Sequence, residues 1–269
     1  MMQSHPRLCC SISRKASNVA VQYHNAAYQA LGLDYTYVAF SIDDLPSAVQ
    51  SLRTLGIRGC GVNMPFKEML LPYLDQLDPV AARIKSVNTI VNDDSRLTGY
   101  NVDWLGAQQA LETVTTLNGK VVIVVGAGGA SRAVVYALSS AGAAVHLYNR
   151  SVEKAKALTE EFGLSSAHPL TDLPRIGQYD ILVNTTSVGY RAPGDSVVPE
   201  SILRPGTVVF DIVAEPLETL LIKQAKAKGA QCVPGYRMRL FQAGAQFRLY
   251  TGVDAPLDVM EKALLDAMK

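Results

Sequence analysis

At 269 residues, with 48% hydrophobic and 18% charged side chains, the chain can build one large or two ordinary domains, and the composition excludes disorder. A net charge of +1 excludes partners held by bulk electrostatics, nucleic acid and anionic membrane alike, and points to a small-molecule partner. The four cysteines (Cys9, Cys10, Cys60, Cys232) form no Cys-x-x-Cys pair, and no metal-ligand spacing links Cys9 and Cys10 with His5, His24, His146 and His168. They read as reduced, mostly buried thiols.

In chain order, Met1 to Lys15 lacks the apolar core of a signal peptide. Leu8 to Ile12 reads as a strand, Val19 to Leu31 as a helix and Tyr35 to Phe40 as a strand. Leu45 to Leu55 has helical spacing after Asp43-Asp44, which can cap it, and Cys60 to Met64 is strand-like. A cleaner series begins at Lys120: strand Val121–Val125, helix Ser131 to Ser140, strand Ala144 to Tyr148 and helix Glu153 to Phe162. Asp180 to Asn184 and Thr207 to Ile212 are further strands. Leu217 to Lys228 reads as a helix closed by Gly229, Gln231 to Val233 as a last strand, and Met238 to Tyr250 and Leu257 to Met268 as closing helices. Such alternation predicts βαβ units, a mainly parallel sheet and an α/β fold. The pattern divides into residues 1–100, 101–233 and a closing helical segment, 234–269. The longest apolar runs, such as Val121–Val125, fall far short of the ~20 residues of a membrane span, so a cytoplasmic protein is expected.

Val121–Val125 runs directly into Gly126-Ala127-Gly128-Gly129-Ala130-Ser131 and then a helix. Gly126 suits a tight turn, Gly128 lets backbone approach a pyrophosphate, and small Ser131 lets helix and strand pack closely. The helix N-terminus then offers N–H groups and a positive dipole end to phosphates. A glycine-rich turn alone has a bland structural reading, but the strand before it and the helix after it supply the context of a dinucleotide site. The next strand ends in Asn149-Arg150-Ser151, with Lys154 beyond. An NAD site carries a carboxylate there for the ribose 2′-hydroxyl. Here Arg150 can pair with a 2′-phosphate through its planar fork, Ser151 can donate a hydrogen bond and Lys154 adds charge, which predicts NADP(H). The alternative makes Arg150 and Lys154 ordinary solvated residues.

Two further segments bear chemistry: Gly61 to Glu68, and Ser86-Val87-Asn88-Thr89 followed by Gly99 to Asp103. Reducing a ketone needs a proton donor at the carbonyl oxygen, a role that suits a tuned lysine beside an aspartate. Lys67 and Asp103 are the natural pair. On composition alone the plainer readings prevail: Lys67 as a surface lysine on a helix, and Asp103 as the N-cap of a helix beginning near Trp104.

Taken together these segments resemble the shikimate dehydrogenase family along nearly the whole chain. His24 to Tyr28 with Gly32-Leu33-Asp34 is similar to the family's first helix, and Pro65-Phe66-Lys67 to its catalytic-lysine segment. Ser86 to Thr89 and Asn101-Val102-Asp103 are similar to its substrate-binding asparagine and paired aspartate. Gly126 to Arg132 and Asn149 to Ser151 match its NADP loops, and Asn184 to Gly189 the loop beside ribose and nicotinamide. Gly235 to Met238 with Gln242-Ala243 resembles its final motif. The resemblance implies an N-terminal substrate domain, a Rossmann-type NADP domain, and C-terminal helices packing back on the first. It implies a Lys67/Asp103 acid–base dyad, ring hydroxyls held by Asn88, Asp103 and Gln242, and further cofactor contacts at Thr186, Ser187, Val213 and Gly235. The implied reaction is hydride transfer between NADP(H) and dehydroshikimate or shikimate, in aromatic amino acid biosynthesis, by a monomer or homodimer.

Departures from the pattern cluster on the substrate side. The family's carboxylate-binding serines precede a Pro-x-x-His segment, whereas this chain reads Ser11 to Val19 without that proline. Ser17 is the best match and Ser13 the second. Asn63 replaces a threonine two residues before the proline, and Ala214 a carboxylate-contacting tyrosine. The pattern resembles a divergent, shikimate dehydrogenase-like branch and leaves quinate or aminoshikimate as alternative substrates. A non-catalytic ligand sensor on the same fold would have no need of both Lys67 and Asp103.

Overall fold

The computed structural model describes residues 7–192 and 194–269. Residues 1–6, which include His5 and part of the N-terminal stretch read above, lie outside the described residues. Two compact units result: Met1–Val102 with Gln242–Lys269, and Asp103–Phe241.

The first unit opens with β1 (Arg7–Ser13), α1 (Val19–Ala30), β2 (Tyr35–Ser41), α2 (Leu45–Thr54) and β3 (Gly59–Val62). It continues through α3 (Phe66–Met69), β4 (Gln76–Leu77), α4 (Pro79–Ile84), β5 (Thr89–Asp93) and β6 (Arg96–Tyr100). The sheet order is β2-β1-β3-β5-β6-β4. Strands β2, β1 and β3 are parallel, as the alternation predicts, with β1 buried between its neighbours. The sheet then turns antiparallel through β5 and β6. Strands β5 and β6 are joined by a tight hairpin at Asp94-Ser95, whose φ angles of 50° and 69° match the mirror-image turn favoured by strand twist. Asp44 caps α2 by accepting from the Ser47 N–H at 3.3 Å, and Asp78 caps α4 by accepting from the Val80 N–H at 2.9 Å.

The second unit comprises α5 (Asp103–Glu112), β7 (Val121–Val125), α6 (Gly129–Ser140), β8 (Ala144–Asn149), α7 (Val152–Phe162) and β9 (Ser166–Pro169). It proceeds through β10 (Ile181–Asn184), β11 (Val208–Asp211), α8 (Leu220–Ala227) and β12 (Gln231–Val233). Its sheet is parallel throughout, in the order β12-β11-β10-β7-β8-β9. Counted from β7, this is the 3-2-1-4-5-6 order of dinucleotide-binding folds. Val122 and Val124 enter one apolar core and Ile123 and Val125 the other, so β7 is buried on both faces and needs an unbroken β-branched run. Helix α8 starts at Leu220 rather than at Leu217, because the Thr219 hydroxyl caps it by accepting from the Ile222 N–H at 3.3 Å.

The chain closes with α9 (Gly235–Thr251) and α10 (Leu257–Ala267), and α10 packs on α1. Phe247 and Tyr250 of α9 are fully buried with Tyr28 and Tyr37, and complete the first unit's core around the imidazole of His24. That ring stacks on Tyr37 at 4.3 Å, and neither of its nitrogens has a hydrogen-bond partner among the described residues. Burial therefore pushes its pKa down to about 3. Among the described residues no helix is long and apolar enough to cross a membrane.

Candidate active site

Within the second unit, the residues expected to hold a nucleotide gather at the carboxyl ends of β7, β8, β10 and β11 and at the start of α9. Open parallel sheets bind ligands at this end, where the strand order reverses. At the end of β7, Gly126 adopts φ +111°, and a Cβ there would stand 2.6 Å from the Thr185 hydroxyl. Only glycine makes this turn. The Ser131 hydroxyl donates to the Gly126 carbonyl at 2.6 Å and Thr185 donates to the Val125 carbonyl at 2.8 Å, which fixes the loop from both sides.

Ala127, Gly128, Gly129 and Ala130 then lead into α6. Its N-cap is Gly128, no side chain caps it, and no acidic residue sits in its first turn. A helix start without side-chain cap or acidic neighbour suits a phosphate. Helix α7 has Ser151 at its N-cap, again with no side-chain cap bond; its first turn carries Glu153, which pairs with Lys156 at 3.4 Å, while Asn149 donates to the Ser151 carbonyl at 2.9 Å. Arg150, Ser151 and Lys154 are exposed, and no ion pair engages Arg150 or Lys154 among the described residues. These groups fit the 2′-phosphate of NADP(H).

Beyond β10 a buried knot organises the remaining loops. The Asp211 carboxylate accepts from Asn184 at 2.9 Å, from the Thr219 hydroxyl at 2.6 Å and from the Val213 N–H at 3.1 Å. Asn184 in turn accepts from the Thr186 N–H at 3.0 Å and the Thr186 hydroxyl at 2.8 Å. Burial raises the Asp211 pKa, against the pull of these hydrogen bonds. The knot sets the loops bearing Thr186, exposed Ser187 and buried Val213. A Cβ on Gly235 would lie 2.4 Å from the Val213 carbonyl oxygen, so glycine alone lets α9 start against this loop. Asp103, the first residue of α5, is buried.

In the first unit the substrate-side residues are laced together by backbone. The Asn63 N–H at the end of β3 donates to the Ile12 carbonyl at 3.0 Å, beside half-buried Ser13. The Val87 N–H donates to the Lys67 carbonyl at 2.9 Å, and the Val62 N–H to the Asn88 carbonyl at 2.8 Å. Arg14 lies over the Phe66 ring at 5.6 Å, which ties the Ser13 to Ser17 stretch to α3. Ser17 itself is exposed, and its hydroxyl accepts from the Val19 N–H at 3.4 Å. Asn88 is wholly buried; its Oδ1 accepts from the Val102 N–H at 2.9 Å and the Thr89 hydroxyl at 2.8 Å. Gln242 is half-buried on α9. One turn later, buried Gln246 donates to the Asn88 carbonyl at 3.2 Å and to the Thr89 hydroxyl at 3.0 Å. Sequence reasoning missed Gln246, Thr219 and the part played by Asp211. The four-residue spacing from Gln242 to Gln246 was the available signal.

Comparison with known proteins matches three segments of the chain to one family. Residues 16–90 match the shikimate dehydrogenase substrate-binding domain, 107–214 the shikimate/quinate 5-dehydrogenase domain, and 235–265 the shikimate 5′-dehydrogenase C-terminal domain. The chain is 40% identical over 246 residues to the shikimate dehydrogenase (NADP(+)) of Pyrococcus abyssi, spanning 91% of this chain and 92% of that one. It is 39% identical over 255 residues to a shikimate dehydrogenase-like protein of Haemophilus influenzae, spanning 93% of each. The crystal structure of shikimate 5-dehydrogenase from Thermus thermophilus in complex with NADP(H) and shikimate superposes with a TM-score of 0.89 at 36% identity. That match covers 97% of this chain and 99% of that one.

Proposed function

Because the chain belongs to the shikimate dehydrogenase family, we propose that it is an NADP-dependent oxidoreductase interconverting 3-dehydroshikimate and shikimate, within aromatic amino acid biosynthesis. The observation that carries the reading is the Gly126 turn, which leads into the uncapped and acid-free start of α6, together with Arg150 exposed at the start of α7. One receives a pyrophosphate and the other a 2′-phosphate. The first unit serves as the substrate domain and the second as the nucleotide domain. Bound NADP(H) supplies or accepts the hydride. Lys67 delivers a proton to the carbon-3 oxygen as its negative charge develops, and takes it back in oxidation, with Asp103 as the charge partner of the dyad. Asn88, Asp103 and Gln242 hold ring hydroxyls, and Ser17 or Ser13 binds the carboxylate. The enzyme works in the cytoplasm as a monomer or homodimer.

Asn63 and Ala214, at positions where the family carries threonine and tyrosine, favour a second reading: the same chemistry on quinate or aminoshikimate. Purified protein assayed with shikimate, quinate and aminoshikimate, each with NADP and with NAD, separates the two. The highest kcat/KM is expected for shikimate with NADP. No turnover with any of the pairs would end the dehydrogenase reading.

A further inference from the structure

Two residues outside the expected substrate set decide which way round the Asn88 carboxamide faces. At one end of the network stands the Val102 N–H, 2.9 Å from Asn88. A backbone N–H can only donate, so the Asn88 atom facing it is the oxygen, Oδ1. The Thr89 hydroxyl lies 2.8 Å from that same oxygen and must therefore donate to it. At the other end stands the Asn88 carbonyl, 3.2 Å from the Gln246 carboxamide. A carbonyl can only accept, so the Gln246 atom there is Nε2, which also donates to the Thr89 hydroxyl at 3.0 Å. The hydroxyl thus receives one proton from Gln246 and passes its own to Asn88. Every direction in the chain Gln246 → Thr89 → Asn88 is forced by a backbone group at each end.

All three side chains are buried. A reversed Asn88 would set its NH2 group against the Val102 N–H, donor facing donor, and buried donors left without an acceptor are strongly disfavoured. The backbone leaves room for the contact as well: a Cβ on Gly61 would stand 3.4 Å from Gln246 Nε2.

Resting on the function proposed above, we infer that Gln246 and Thr89 are positioning residues that hold Asn88 with Nδ2, a pure donor, as the atom offered to the substrate. The ring substituent that Nδ2 meets must accept a hydrogen bond. A hydroxyl or keto oxygen satisfies it, whereas an ammonium group at that ring position, which has no lone pair, does not.

The test compares the wild type with Thr89→Val, Thr89→Ser and Gln246→Met. Readouts are KM for shikimate, KM for NADP, kcat, the thermal melt, and activity on shikimate analogues lacking one ring hydroxyl each. Thr89→Val should raise KM for shikimate about tenfold, with a smaller change in kcat and KM for NADP within about twofold of wild type. Thr89→Ser, which keeps the hydroxyl, should restore KM, and Gln246→Met should resemble Thr89→Val. For one deoxy analogue the wild type loses efficiency while Thr89→Val loses much less, a coupling that a merely structural role would not produce. If Thr89→Val fails to fold, Gln246→Met carries the same comparison. Folded variants with wild-type KM and an unchanged analogue pattern overturn the relay. A wild type that leaves shikimate untouched refutes the functional reading instead.

Discussion

His24 makes the fold acid-sensitive in a defined window. In the unfolded chain its imidazole titrates near 6.5, whereas burial in the aromatic stack pushes it down to about 3. Above pH 6.5 the ring is neutral in both states and its contribution is level. Below that, the unfolded chain takes up a proton that the native state refuses, and stability falls by about 1.4 kcal/mol per pH unit until the folded-state value is reached. The whole window sums to roughly 5 kcal/mol, on the scale of the ~5–15 kcal/mol that holds an ordinary domain together. His24→Phe keeps a ring for Tyr37 and Phe247 to stack on and removes the titration. Denaturant unfolding followed by circular dichroism at pH 8, 7, 6 and 5 measures the difference. Carboxylates held low by partners, such as Asp75 and Asp180, lose stability at still lower pH in both proteins and cancel in the comparison. Relative to wild type, the variant should gain about 2 kcal/mol between pH 8 and pH 5. Parallel stability curves for the two proteins would refute the argument.

Arg150→Ala should raise KM for NADP roughly 10- to 100-fold and leave KM for NAD within a few-fold, because it removes a charge-assisted bond to the 2′-phosphate alone. Equal efficiency of the wild type with both cofactors would contradict the assignment. Lys67→Ala should lower kcat by about 10²–10⁴ with NADP affinity unchanged, and adding Asp103→Ala should make it little worse, since a dyad acts as a unit. Normal turnover in Lys67→Ala, followed beside a thermal melt, would leave Lys67 a solvated residue. Gly235→Ala should destabilise by about 1–3 kcal/mol, since its methyl would be driven against the Val213 carbonyl and backbone yields poorly. An unaltered melting temperature would show that the loop can move aside.

What the sequence displays well is what repeats locally. Strand β7 and the turn at Gly126 were legible because a strand buried on both faces needs an unbroken apolar run and the turn needs glycine. The hairpin of β5 and β6 was not, since its turn residues are Asp94 and Ser95 instead of a glycine pair. Strand β9 spells Ser-Ala-His-Pro, half-buried and without β-branched residues, so it carries no strand signal. Helix α8 was read too long because apolar Leu217 fits the helical spacing, while the actual start depends on Thr219 meeting Asp211 across the loop. Gln246 escaped for a related reason. A glutamine on a helix looks like a solvated residue until its partners, more than 150 positions earlier in the chain, are folded against it.

The Asp211 knot has a consequence for redesign. One carboxylate fastens the end of β10, the turn after β11 and the first residue before α8, so the three connections are not separable cassettes. Exchanging the 184–189 loop for that of a relative with different specificity would pull on the hydrogen bonds that shape the other two. Transplants should therefore succeed when Asn184, Asp211 and Thr219 travel together and fail when any one of them is left behind.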